Sequence, residues 1–503
     1  MGDRTPRLGL GTFEPGEEWD HTDTVEAVDE YAIVHGPIAE RPSAGEYDDE
    51  LYHASDQGIT WRWDGSSDDW VYFAGQGSSD RPVPETSHFE AVHAIDARSE
   101  RSPVWNVEAH GIKGDGATEV GDAVHDLLGT VAQAGGGIVY FPPGRYLLER
   151  TPLIGDDTII VGTGPSTVLE GPRTGGNEGR ALLSNVGYDA TGYDGASNWG
   201  VCNVRIDSPN SNGILPAHAE NVRLERIYGD RIYYHHVDVV SSTNVTVDGF
   251  WATRGGDGDS DAPVQFDNQT AGTSRNTVWD GHETTTVTDD DTPTRNCSLR
   301  NFEIDPDNSP SYGVHLHRDG NESITISDGY ITGCKRSAIR ADTGRQFADL
   351  RIDGVSCIEN ARGISLGQTT DGRRELTITE VTIRTDDSNL AAGSGLYASG
   401  VEGALISNLF VDGAFTNALV FDDMDDLKLS TVIATGASDQ AFRFRENVDV
   451  TVTSARAAEC DGAGIYSGPG STVAYGGVSF ENVGDQVVVD GAIREWVTSS
   501  DSS

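Results

Sequence analysis

What most limits the folds open to this chain is a repeat in its C-terminal two-thirds. Related short stretches read NVTVDGFWA from Asn244, NCSLRNFEI from Asn296, SITISDGYI from Ser323 and DLRIDGVSC from Asp349. They continue as ELTITEVTI from Glu375, ALISNLFV from Ala404, DLKLSTVIA from Asp426 and DVTVTSARA from Asp449. From Asn296 on, successive starts lie 27, 26, 26, 29, 22 and 23 residues apart. Each stretch alternates apolar and polar residues and then meets Gly, Asn or Asp, the period-2 mark of a strand closed by a turn. A second alternating run follows in phase: GVHLH, AIRAD, GISLG, GLYAS, ALVFD and AFRFR.

Units of this length with two or three strands each fit single coils of a right-handed parallel β-helix. The expected fold class is therefore all-β: such a helix, capped by a short α-helix and preceded by a small N-terminal β domain. No coil can bury its apolar face alone, so Val264, Val314, Ile339, Ile364, Leu396, Leu419 and Phe442 are expected to stack inside. Each contributes about 1.5–3 kcal/mol when buried. A leucine-rich solenoid would need an LxxLxL pattern, which is missing. The interval of 52 residues between Asn244 and Asn296 reads as two coils, with Val264–Asp267 as the strand between.

Composition adds the environment. The formal net charge is −46, and three of the 35 basic residues are lysines, Lys113, Lys335 and Lys428. A compact state so charged repels itself in dilute buffer, whereas molar salt shortens the Debye length to roughly 3 Å. The chain thus reads as adapted to high salt, in a halophile, and as repelled by nucleic acid. Its 5 cysteines show no CxxC pair and are expected to be buried fillers. The start MGDRTPRLGLGTFEPGEEWD has no apolar signal core, and no stretch approaches the length of a membrane span.

VEAHGIKGDGATEVGDAVHDLLGTVAQAGGGIVYFPPGRYLL, residues 107–148, resembles the opening of pectate-lyase-like and polygalacturonase-like proteins. In it Gly111, Gly114, Asp115 and Gly116 form a turn, and Val120–Ala132 would be the helix that closes the first coil, since an open end exposes a sheet edge. The segment ERPSAGEYDDELYHASDQGITWRWDGSSDDWVYFAG, residues 40–75, resembles small modules of tailed-virus tail and fibre proteins. It shares Arg41, Pro42, Gly45, Leu51, Tyr52, Asp56, Trp61, Trp63 and Trp70 with them. These resemblances imply an attachment module over 1–85, a linker over 86–106, the β-helix over 107–490 and a flexible tail over 491–503.

Phasing the coils lines up outward residues of the second strand. One column runs Asp238, Gln265, His315, Arg340, Ser365; the next runs Val240, Asp267, His317, Asp342, Gly367. Rungs of about 4.8 Å make them one polar patch, fed by the acidic loop carrying Asp257, Asp259 and Asp261. Against the polygalacturonase signatures N-T-D, D-D, G-H-G and R-I-K, His235 stands at an aspartate and Ala262 at the second carboxylate. Tyr312 stands at the histidine, followed by Gly313, and Asp342 at the lysine; Asp261 and Arg340 remain. That mechanism is broken, but Asp259 or Asp261 with Asp267, or Asp238 with His315, could serve as acid and base.

Asp257, Asp259 and Asp261 are also the calcium alternative, although Ala262 and Asn268 exclude an EF-hand loop; no other cofactor is required. Isolated clusters at 289–291 and 422–426 read as solvated acidic surface. Asp238, His315, His317, Arg340, Asp342, Tyr312 and Trp251 form the expected glycan-binding set, in which aromatic faces take sugar rings and Arg takes carboxylate or sulfate.

The preferred reading is a virion-borne spike of a halophilic virus. It would be assembled in the cytoplasm without a signal peptide, attached to other virion proteins through residues 1–85, and directed at host-surface glycans. A homotrimer is the expected spike assembly, though no coiled-coil stretch supports it. A polysaccharide depolymerase and a purely structural decoration protein are the alternatives. The charge makes its own prediction: Tm should rise from dilute buffer to molar salt, and a flat or falling Tm in thermal melts removes the halophilic reading.

Overall fold

The computed structural model describes residues 33–36, 51–54, 59–64 and 69–75, and then 104–495 except 173–179, 209–211, 254–261, 269–275, 280, 282, 306–309, 319, 342–346, 368–374 and 387–392. The chain divides into two units, Met1–Arg101 and Ser102–Ser503. In the first, Ile33–Gly36 pairs in parallel with Leu51–Ala54, which continues antiparallel through Ile59–Asp64 to Asp69–Gly75. The proposed linker and tail lie mostly outside the described residues.

The second unit is a parallel β-solenoid of about 13 turns. Its first strand, Val104–Asn106, already pairs with Gly137–Tyr140, and its last, Ala492–Glu495, pairs with Thr472–Tyr475. The one α-helix among the described residues, Gly121–Gln133, starts a residue later than the sequence suggests and buries Val124, Leu127, Leu128 and Val131 against the first coil. Glu119 Oε1 accepts from the Gly121 N–H at 2.5 Å and from the Glu149 N–H at 3.0 Å, fixing the helix start to the neighbouring strand.

Each coil contributes one long strand and one short one. The long strands align Val247, Leu299, Ile326, Ile352, Ile378, Ile406 and Leu429 in one inward column. The short ones align Val264, Val314, Ile339, Ile364, Leu396, Leu419 and Phe442, the column read from the sequence. All are buried, and so are the five cysteines, none in a disulfide.

The long strand bends at a single left-handed residue that recurs at one register: Asn203, Arg226, Gly249, Asn301, Asp328, Gly354, Glu380, Asn408 and Thr431, with φ between 50° and 72°. Gly249 and Gly354 adopt it without cost, and Asn and Asp tolerate it better than most residues. A second left-handed ladder opens the long strands at Asn198, Asn221, Asn244, Asn296, Ser323 and Asp349. Along it the Asn221 amide donates to Asn198 at 3.2 Å, and the Asn244 amide to Asn221 at 3.0 Å. The Asn, Ser and Asp that begin the sequence repeat are these residues.

One interval departs from the expected count. Thr243–Ala252 pairs directly with Thr294–Ile304, so Asn244 to Asn296 is one coil and not two. The extra length is an insertion after strand Val264–Asp267, and its described part, residues 276–293, includes an antiparallel hairpin of Thr277–Trp279 and Thr284–Thr286. Period counting could not separate a second coil from an insertion of similar length.

Two substitutions test this account in urea titrations. Thr431→Asn relieves a β-branched residue from the left-handed region and should add about 1 kcal/mol. Leu419→Ala should cost about 2–5 kcal/mol by leaving a cavity between coils.

Candidate functional site

The registers bring the expected outward column together. Asp238 lies opposite Gln265, Gln265 opposite His315, His315 opposite Arg340 and Arg340 opposite Ser365. The column continues through Tyr397, Val420, Arg443 and Tyr466, which the sequence reading left out. Their signal was available: each is the outward residue in GLYAS, ALVFD, AFRFR and GIYSG. In the adjacent column Val240 lies opposite Asp267, and Asp267 opposite His317.

Facing away from the core has not left these groups wet, as the alternation implied. Asp238, Gln265, Asp267 and His315 are all buried, and the His317 side chain keeps 31% of its surface. The insertion is one cause. Val278 and Val287 pack with Val240, Leu215, Ala217, Tyr188 and Ala181 in a small apolar cluster outside the main core. The segment beginning at Asn276 thus roofs the outer face of the coils up to Asp238.

Electrostatics follow from that burial. Desolvation pushes the Asp238 carboxyl above the usual carboxylate range. Asp267 pushes the same way, while His235, Gln265 and Asn276 oppose it. Gln265 Nε2 donates to Asp238 Oδ1 at 3.2 Å. Asp267 instead faces basic side chains, with His317 Nδ1 at 3.4 Å and Arg318 Nη1 at 3.8 Å. The Tyr312 and His315 rings lie 4.7 Å apart, and the His315 and His317 rings 4.9 Å. Arg336 Nη1 donates to Tyr312 Oη at 3.3 Å, and Arg340 Nη1 to Ser365 Oγ at 2.8 Å. Arg318 and Arg336 are further cations that the sequence reading did not select.

The phasing against the polygalacturonase segments is visible as a contact: His235 Nδ1 donates to the Ala262 carbonyl at 2.7 Å. An imidazole and a methyl group therefore occupy neighbouring rungs where that pattern needs carboxylates. Asp257, Asp259, Asp261 and Asp342 lie outside the described residues, and with them the calcium loop. Among the described residues no group of three or more His, Cys, Asp or Glu is placed to hold a metal ion. No helix among them is long and apolar enough to cross a membrane.

Trp251 is not in this patch. It belongs to a long strand, where it stacks on Tyr228 at 4.8 Å between ring centres and lies opposite Glu303. Phase in the sequence gave its coil correctly, but the short and long strands look out in different directions. The acidic run at 289–291 also departs from a plain solvated surface. Asp290 Oδ2 accepts the Gly192 N–H at 2.6 Å and the Thr292 hydroxyl at 2.8 Å, and these bonds hold its carboxyl below the usual range despite partial burial.

Residues 104–340 match the family model described as Rhamnogalacturonase A/epimerase, pectate lyase-like; over that span the chain is similar to that family. No curated protein matches the chain. Tailspike protein 3 of bacteriophage CBA120 is similar in structure, with TM-score 0.50 and 13% identity over 99% of this chain and 82% of that one. The adhesin PfbA of Streptococcus pneumoniae has TM-score 0.49 and 14% identity over 78% and 100%. A family 28 exopolygalacturonase of Yersinia enterocolitica has TM-score 0.48 and 10% identity over 79% and 78%. At these identities the tailspike likeness speaks for the fold, and the other two carry no argument.

Burial of Asp238 predicts a pH dependence. A carboxyl whose folded pKa is raised binds its proton more tightly folded than unfolded. Stability then falls as pH climbs from the unfolded value, about 3.9, toward the folded one. Asp238→Asn, which keeps an acceptor for Gln265, should be more stable than the parent at neutral pH and equal to it near pH 3. An equal stability difference at both pH values in chemical denaturation contradicts the assignment.

Proposed function

We propose that this pectate-lyase-like solenoid recognises an anionic glycan along the outward face of its short strands. The observation that carries the reading is the register column itself, in which Arg340, Tyr397, Arg443 and Tyr466 follow His315, with the buried Ser365 and Val420 on the rungs between. Half-buried arginines and tyrosines one or two coils apart suit a chain of sugars, with guanidinium groups for carboxylate or sulfate and rings for sugar faces. In a chain of net charge −46, such arginines on one face favour a negatively charged ligand that most of the surface repels.

The setting we propose is a spike of a halophilic virus particle, with residues 1–85 as its attachment module and the solenoid directed at the host surface. A tailed-virus tailspike shares this architecture over almost the whole chain, which supports that reading at the level of fold. A homotrimer and a calcium ion at Asp257, Asp259 and Asp261 belong to the same proposal. Trp251 has no part in this face.

One observation favours cleavage as a second reading. Asp238 and Asp267 sit one coil and two residues apart, about 8 Å between Cα atoms by strand geometry. Inverting glycosidases hold their carboxyls about 6.5–9.5 Å apart, one protonated and one ionised. The raised Asp238 carboxyl fits the protonated role, and Asp267, beside Arg318, is the second carboxyl.

Surface glycan from halophilic cells, incubated with the protein in molar salt, tests both readings. Arg340→Ala should weaken binding roughly ten- to a hundredfold, the loss of one charge-assisted contact. Unchanged affinity removes this face as the site. New reducing ends that disappear in Asp238→Asn establish cleavage; binding without products establishes recognition alone.

A further inference from the structure

The roof gives the proposed glycan face a closed end. Above Asp238 the outward column continues as Leu215 and Ser184, since Ser184 lies opposite Leu215 and Ile214 opposite Val237. Leu215 and Val240 are both fully buried in the apolar cluster formed with Val278 and Val287. Below His315 the column emerges through the half-buried Arg340, Tyr397, Arg443 and Tyr466. A ligand lying along the solenoid axis can run toward the C-terminal coils but meets packed side chains at Leu215.

The roof is anchored, not hinged over the site. Its hairpin pairs through Thr277 with Arg180, and Thr151 N–H donates to the Trp279 carbonyl at 3.0 Å. Its return segment is tied to the loop after strand Ala181–Asn185. There Thr288 Oγ donates to the Asp189 carbonyl at 2.6 Å, Gly192 N–H to Asp290 at 2.6 Å, and Tyr193 Oη to the Pro293 carbonyl at 2.8 Å. Buried His218 joins both sides, with Nδ1 2.8 Å from the Gly192 carbonyl and Nε2 3.0 Å from that of Thr288. These hydrogen bonds and an apolar cluster stand behind a single hairpin.

Resting on the glycan reading above, we infer that the site takes the end of a glycan chain and not its interior. The terminal sugar stops at the edge of the covered stretch that holds Asp238, Gln265 and His315, where the partly exposed His317 and Arg340 come to the surface, and the following sugars extend along Tyr397 and Arg443. The roof hairpin, with Asn276 at its edge beside Asp238, is the specificity determinant. An internal stretch of polymer would have to continue through Leu215 and Val278.

Stoichiometry against chain length decides this. Size-fractionated polyuronate and surface glycan released from halophilic cells are titrated with the protein in molar salt by light scattering and calorimetry. The expected result is one protein per chain at every length, with molar affinity independent of length. Binding that rises in proportion to chain length overturns the inference while leaving glycan recognition intact. No binding to any fraction overturns the glycan reading itself, and this inference with it.

A second arm uses Val278→Asp with Val287→Asp, chosen to lift the hairpin, with the β-sheet circular dichroism spectrum and the melting of the solenoid checked alongside. If the solenoid stays folded, bound protein should become proportional to chain length. Persistence of one protein per chain would show that the hairpin does not close the site. If the double variant unfolds, Trp279→Ala, in the hairpin strand and under the Arg180 guanidinium, replaces it in the same comparison.

Discussion

A β-solenoid exists only if each coil delivers its chain back to the same register, one strand spacing further along the axis. Here that condition is met by left-handed residues placed at equivalent corners of successive coils, Asn203 to Thr431 inside the long strands and Asn198 to Asp349 at their starts. Each such corner changes strand direction in a single residue and leaves no slack. The inward columns of Val, Leu, Ile and Phe can then interdigitate because every coil turns at the same place. A slip of one residue at a corner would send a whole strand of core side chains to the outside.

The same registration builds the candidate site. Asp238, Gln265, His315 and Arg340 come from four stretches spread over about a hundred residues, yet each is the hydrogen-bonded neighbour of the next. No loop has to close to bring them together. What differs from rung to rung is the environment supplied by the turns. Under the roof the column is dry, and a carboxyl there holds its proton more strongly. Beyond it, where Arg318 and His317 approach, Asp267 meets positive charge instead. Position along one column thus sets the chemistry of side chains presented in the same way.

Much of this was legible in the sequence for a mechanical reason. Alternation reports which side of a strand faces the core, and the repeat reports which strands are neighbours. Together they place His315 between Gln265 and Arg340 without any structure. Three things escaped. The interval from Asn244 to Asn296 has the length of two coils, and only pairing distinguishes a coil from an insertion. Alternation shows that Asp238 faces away from the core, but its cover comes from an insertion that carries no repeat. Trp251 was assigned to the patch by coil, whereas the face it occupies depends on which side of the left-handed Gly249 it falls. The outward Tyr397, Arg443 and Tyr466 were readable and were missed because the column was followed for too few turns.

The insertion leaves the coils on either side of it undisturbed: Val247 still faces Leu299 and Phe250 still faces Phe302 across it. The corner after Asp267 therefore behaves as a socket into which foreign segments can be plugged without renegotiating the core. Length can thus be gained or lost at this corner without disturbing the packed interior. Variation in this protein's relatives should then be concentrated as length differences at such corners, with the stacked columns between them left almost unaltered.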